Sequence, residues 1–279
     1  MFNKKQFAHV FDVNSFKKLR IDLTSTDLVI HQGDALSVIY YDEKNDHDRL
    51  IVKQEGTVLN IHEKRGLENL THSLAFKFAI GKSRLEITLP PKEQIDIKAT
   101  VDSGDVAISN ITVPQIFLKT NSGAVTLAYS RFKKLNISTQ ESNLVMKMMD
   151  IEQFILDDDT GDVLLDQINI EDRLIASIDE GNLKLRKDEF NDGKITLGAG
   201  DVSVREFTAT GDFKLTTDVG DLSLRAIKAP TITIAAVRGN DLENPAIVKG
   251  LPNHKDGTKG ATFLTTAGHL DVYKDIEVI

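Results

Sequence analysis

Gly161-Asp162-Val163-Leu164-Leu165 is the phrase that decides the fold, because close variants of it recur along the chain at nearly constant distance. Before it stand Gly104-Asp105-Val106-Ala107-Ile108, Gly123-Ala124-Val125-Thr126-Leu127 and Ser142-Asn143-Leu144-Val145-Met146. After it come Gly181-Asn182-Leu183-Lys184-Leu185, Gly200-Asp201-Val202-Ser203-Val204 and Gly220-Asp221-Leu222-Ser223-Leu224. Successive first positions from 104 to 220 differ by 19, 19, 19, 20, 19 and 20. A fixed period of this size marks a chain built from stacked supersecondary units.

Each unit carries a second short alternating run ahead of the marker, such as Ile116-Phe117-Leu118-Lys119-Thr120 or Leu135-Asn136-Ile137-Ser138-Thr139. Alternation over so few residues is the period of a half-buried strand. Two such strands cannot bury their apolar sides alone, whereas stacked coils can. Stacking aligns Val106, Val125, Leu144, Val163, Leu183, Val202 and Leu222 in one inward column. Ile108, Leu127, Met146, Leu165, Leu185, Val204 and Leu224 form another. The expectation is an all-β, single-stranded β-solenoid with coils of about 19–20 residues and parallel pairing between coils. At a strand spacing of ~4.8 Å, its seven markers span roughly 30 Å. The same alternation would also permit an antiparallel sandwich of repeated hairpins.

Outside the repeat the pattern loosens. Residues 1–96 read as an irregular β head, and 97–279 as the solenoid ending in a short C-terminal cap. Thr26-Asp27-Leu28-Val29-Ile30 resembles the marker but precedes Gly104 by 78 residues, about four coil lengths. The stretch 67–80 reads as loop followed by strand. Gly239-Asn240 keeps the turn 19 residues after Gly220, and Gly268-His269-Leu270-Asp271-Val272 resumes the pattern 29 residues later. The surplus is assigned to a loop at 244–258, and solenoids often bind through such insertions.

Taken together, Leu85-Glu86-Ile87-Thr88-Leu89-Pro90 leading into Ser103-Gly104-Asp105-Val106, the phrase Asp159-Thr160-Gly161-Asp162-Val163, and the strands Asp27–Ile30 and Leu36–Ile39 resemble the bacterial "putative adhesin" family. The resemblance spans roughly residues 16 to 273. It implies a β-solenoid domain of unknown function, an adhesin-like role at or near the cell envelope, and no catalytic residues. It also implies a link, for some members, to envelope-stress gene clusters.

Composition narrows the classes. There is no cysteine, which excludes disulfides and thiolate metal sites. A net charge of −8 argues against nucleic acid as partner. With no tryptophan and 6% aromatics, a sugar-stacking cleft is disfavoured. No apolar run reaches the ~20 residues of a membrane helix, and Met1–Val10 lacks the apolar stretch of a signal peptide. The default location is therefore the cytoplasm, against the envelope that the resemblance implies.

Candidate chemistry is sparse. Asp105, Asp162, Asp201 and Asp221 share one repeat position and invite a calcium reading. Ala124, Asn143, Asn182, Asn240 and His269 interrupt that column, so turn chemistry is the expected role and no metal is assigned. Asp157, Asp158 and Asp159, with Asp162, read as a solvated acidic corner, or as paired carboxylates if the solenoid were a carbohydrate-active enzyme. Gly198-Ala199-Gly200 reads as a corner, and the seven histidines are scattered. No catalytic, cofactor or metal residue is assigned. The resulting expectation is a non-enzymatic scaffold whose partner is a protein or a cell-wall glycan, with a cytosolic partner of a stress system as the other non-enzymatic alternative.

Overall fold

The computed structural model describes residues 6–43, 46–64, 83–91, 94–236, 260–272 and 276–278. The readings made for 67–80, Gly239-Asn240 and the 244–258 loop lie outside these residues. Apart from a single 3-10 turn, His47–Arg49, the described elements are strands.

One coil shows how the sequence closes on itself. Val106–Ser109 forms the first side, with Val106 and Ile108 inward. The chain then turns at Asn110, whose φ is 56°. Strand Thr112–Ser122 supplies a short second side through Val113 and a long third side through Ile116, Leu118 and Thr120, all buried. Gly123 makes the last corner, and Val125–Ala128 begins the next coil directly above Val106–Ser109. The pairing is parallel throughout: Val106, Val125, Leu144, Val163, Leu183, Val202, Leu222 and Leu270 follow one another in register. The fold is the β-solenoid that the period predicts, and the sandwich of hairpins is not formed.

The glycine column follows from close packing between coils. A β-carbon on Gly181 would run into the carbonyl of Gly161, and one on Gly200 into the carbonyl of Gly181. Gly181 and Gly200 also have φ near +140°, a region that side chains rarely adopt. The two 20-residue steps have a local cause as well. Glu171-Asp172 bulges between Ile170 and Arg173, where the preceding coil has only Glu152 between Ile151 and Gln153. In the later long coil, the extra residue falls between Ala209 and Phe213. Both bulges fall between the second and third sides, so the core columns keep their register.

The ends depart from simple coiling. Lys18–Leu23 and Asp27–Gln32 pair directly with Asp96–Val101 and Val106–Ser109. The 78 residues between equivalent positions are thus one step of the stack, not four coils. The intervening chain passes outward and returns: Val58–Glu63 and Arg84–Leu89 cover Lys18–Leu23 and Asp27–Gln32 on their far side. There the direction of pairing changes. Ser37–Asp42 runs antiparallel to Arg84–Leu89, Phe7–Phe11 antiparallel to Ser37–Asp42, and Leu50–Glu55 antiparallel to Val58–Glu63. At the other end Gly268 stacks on Gly220, and Ala261–Ala267 pairs with Phe213–Val219 on one edge and Ile232–Ala236 on the other. The coil after Gly220 is therefore the one marked by Gly268, reached by a 48-residue step.

Phenylalanines fill the C-terminal part of the core. Phe190, Phe207, Phe213 and Phe263 are fully buried, with ring centroids 4.8 to 6.2 Å apart. Gly193 makes room for this cluster, since a β-carbon there would lie 3.3 Å from the Phe213 ring.

Candidate functional site

The Asp/Asn column proves to be a hydrogen-bonded ladder on the outer corner. The Asp105 N–H donates to Asp27 Oδ1 at 2.9 Å, and the Ala124 N–H to Asp105 Oδ1 at 2.9 Å. The ladder resumes above Ala124: Asp162 N–H to Asn143, Asn182 N–H to Asp162, and Asp201 N–H to Asn182. It ends with Asp221 N–H to Asp201 and His269 N–H to Asp221 at 2.8 Å. Each side chain satisfies the peptide of the next coil, so these residues hold coil to coil where turn chemistry predicts local bonds. Among the described residues, no three histidine, aspartate or glutamate side chains gather as a metal site.

Asp157, Asp158 and Asp159 part company. Strand alternation along Leu144–Thr160 points Asp157 and Asp159 outward and buries Asp158 beside Phe154 and Leu156. Asp158 Oδ1 accepts a hydrogen bond from the Thr139 hydroxyl, and Oδ2 is buried with no partner. Burial pushes its carboxyl up to about 6 against the pull of the Thr139 bond. Asp162 is exposed at the ladder, so Asp158 and Asp162 do not face a common cleft. The acidic corner is solvated at Asp157, Asp159 and Asp162 but not at Asp158. The missed signal was present in the alternation, which continues inward from Leu156 to Asp158.

A second carboxyl is buried at Asp188, where the equivalent corner of other coils holds Met149, Ile168 or Phe207. Its oxygens accept the Ile168 and Arg186 N–H groups, both at 2.8 Å. Burial nevertheless pushes it up to about 7. At the N-terminal end the buried Glu63 does the opposite. Its Oε2 accepts the N–H groups of Thr24, Ser25 and Thr26 at 2.7, 3.0 and 3.3 Å, while Arg49 pairs with Oε1 at 2.7 Å. Burial raises the Glu63 pKa, but these bonds outweigh it and hold the carboxyl below its usual range. Both groups serve the corner peptides and neither opens to a cleft.

The surface carries shallow depressions. One of about 160 Å³ lies at the bulge corner between Thr112, Arg131, Lys133, Asp150, Glu152 and Glu171, small beside the ~300–1,000 Å³ of a small-molecule site. Arg131 and Asp150 close across it at 2.7 Å. A wider and more open one of about 320 Å³ lies on the next coils between Asp172, Arg173, Asp192 and Lys194. Exposed apolar residues occur along one left-handed corner, Tyr129 and Met148, and on the long flank, Phe117 and Ile155. Periodicity did not reveal that corner, because Asn110, Tyr129, Met148, Gln167, Lys187, Glu206 and Ala226 share no residue type.

Flat flanks, hydrogen-bonded corners and the absence of a deep cleft among the described residues define a solenoid scaffold. The chain belongs to the Toastrack DUF4097 family, whose model matches residues 16–240. No curated protein matches it in sequence. Among solved structures it is similar to a "putative lipid binding protein" from Parabacteroides distasonis, with 12% identity, 98% of each chain covered and a TM-score of 0.58. A "putative adhesin" from Bacteroides fragilis matches at 16% identity over 99% of this chain and 98% of that one, with a TM-score of 0.43. At such identities the first likeness speaks for the fold alone.

Proposed function

We propose that the protein is a non-enzymatic binding scaffold acting at or near the bacterial cell envelope, engaging its partner along a flat flank. The observation that carries this reading is the way the acidic residues are used. Asp105, Asp162, Asp201 and Asp221 hold coil to coil, and Asp158 faces the core. No pair of these carboxylates is left facing a substrate-sized cleft among the described residues. Membership of the Toastrack family and the resemblance of the chain's repeat to the bacterial "putative adhesin" family support the same reading. In it, the head at 1–96 and the solenoid at 97–279 work as one unit.

Fractionation of native, untagged protein with protease shaving of intact cells tests the placement. Protein found outside and shaved away is the expected result. Protein confined to the cytosol would end the envelope reading and direct the search to intracellular protein partners.

A further inference from the structure

Three arginines stack on one flank. Arg186, Arg205 and Arg225 each end the first side of their coil, and parallel register sets Arg205 directly between the other two. All three point outward. Neighbouring strands lie ~4.8 Å apart, so the guanidinium stems are closely spaced, and like charges directly opposite one another destabilise a sheet. Arg186 shares its charge with Asp166 at 3.7 Å. Arg205 and Arg225 make no ion pair among the described residues. Of the other acids nearby, Glu277 pairs with Lys228 at 2.9 Å, Glu206 stands on the corner column after Arg205, and Asp271 stacks above Ser223. In a protein of net charge −8, this stripe leaves positive charge uncompensated along the coil axis.

We infer that Arg186, Arg205 and Arg225 form an anion-binding ladder that takes a linear phosphodiester-linked polymer running along the solenoid axis. This deepens the scaffold reading and rests on it. The stripe is one side chain wide, which suits a strand of charges better than a charged plane. Arginine presents a planar fork that matches phosphate oxygens two at a time. Ser203 and Ser223 stand two residues upstream on the same outward face and add hydroxyl donors. The aromatic residues of these coils, Phe190, Phe207 and Phe213, are all buried. Among the described residues the ladder therefore has no ring on which a sugar or a nucleobase could stack, and a phosphate-rich polyol chain is the anion it fits.

The test is binding of a synthetic poly(glycerol phosphate) oligomer to the full chain, measured by titration at several salt concentrations. Log affinity should fall with log salt at a slope of about −2, as for roughly three phosphates on a flexible strand. Arg205→Gln and Arg225→Gln should each weaken binding about tenfold, and Arg186→Gln less, since Asp166 already draws on it. Arg225→Lys should keep the salt slope while losing part of the affinity, because the charge stays and the fork goes. Lys194→Gln and Lys214→Gln, a stacked pair on the opposite flank, should change nothing. All variants should show wild-type circular dichroism.

Absence of binding at low salt would overturn the inference. So would equal losses in the Lys194 and Lys214 variants, or equal affinity for polygalacturonate or single-stranded DNA. Capture by phosphatidylglycerol vesicles without capture by the polymer would overturn it too, in favour of a membrane surface. If the arginine variants lose the polymer in vitro but remain shaved from intact cells, the scaffold reading stands with a second contact. If wild-type protein stays in the cytosol, the envelope reading fails whatever the ladder binds.

Discussion

The middle of this molecule and its two ends obey different rules. From Gly104 to Gly220, one period of sequence is one step of the stack, and apart from the two bulges each residue sits above the one 19 or 20 places earlier. At the ends, steps of 78 and 48 residues join coils that are immediate neighbours. The difference comes from exposed edges. A parallel stack that simply stopped would leave a full row of unpaired peptide groups. The N-terminal excursion covers that row and turns the pairing antiparallel through Ser37–Asp42 and Leu50–Glu55. Repetition builds the middle, and interruption of the repeat finishes the ends.

The largest expected effect contrasts a middle glycine with an end glycine. Gly200→Ala forces a β-carbon onto the Gly181 carbonyl at a φ of +141° and should cost about 4 kcal/mol or more. Gly56→Ala, at φ +56° with open space around it, should cost only about 1 kcal/mol. Urea midpoints measure both, and equal costs would break the contrast.

Next comes Glu63→Gln. It removes the charge that Arg49 and three corner peptides share, and should cost about 2–3 kcal/mol. Amide exchange should accelerate at 18–32 while the coils around Leu144 and Leu165 stay protected. Uniform acceleration would mean that cap and middle unfold together.

A smaller effect separates buried acids by pH. The folded-state values of Asp158 and Asp188, about 6 and about 7, lie above the ordinary 3.8. Between about pH 4 and 7 the native state therefore holds more protons than the unfolded chain, and these two groups make stability fall as pH rises through that window. Asp158→Thr, copying Thr139 one coil below, should raise stability at pH 8 by about 1–2 kcal/mol and flatten the decline. An unchanged pH profile would remove Asp158 as its source. The smallest effect is Ala124→Asn, which supplies the ladder acceptor missing from that coil and should gain about 0.5 kcal/mol in the same assay.

How legible this was depended on whether a residue type and a position in the coil coincide. The glycine corner was legible because backbone from the preceding coil excludes every other side chain. The inward Val, Leu and Ile columns were legible because burial demands them. The left-handed corner was not, since stacking imposes a positive φ on Tyr129, Met148 and Lys187 whatever their preference. The placement of Asp27 beside Asp105 was hidden because chain distance counts the outward excursion as though it were coils. Within the acidic corner, composition pointed to solvent while alternation sent Asp158 to the core. The arginine ladder needed only the same arithmetic, five residues after Gly181, Gly200 and Gly220, applied to the outward face.

The Asp/Asn ladder runs in one direction. At each rung an earlier coil supplies the acceptor and a later coil supplies the N–H, from Asp27 to His269. Except at Ala124, the corner side chain of each coil is thus an acceptor that the following coil fills. The backbone bonds of the same corner run the other way, with Val106, Leu144 and Val163 N–H groups donating to the coil that follows, so side chain and backbone together give each coil both an acceptor and a donor for the next. The protein can be laid down like courses of brick, each one carrying the bed on which the next is set.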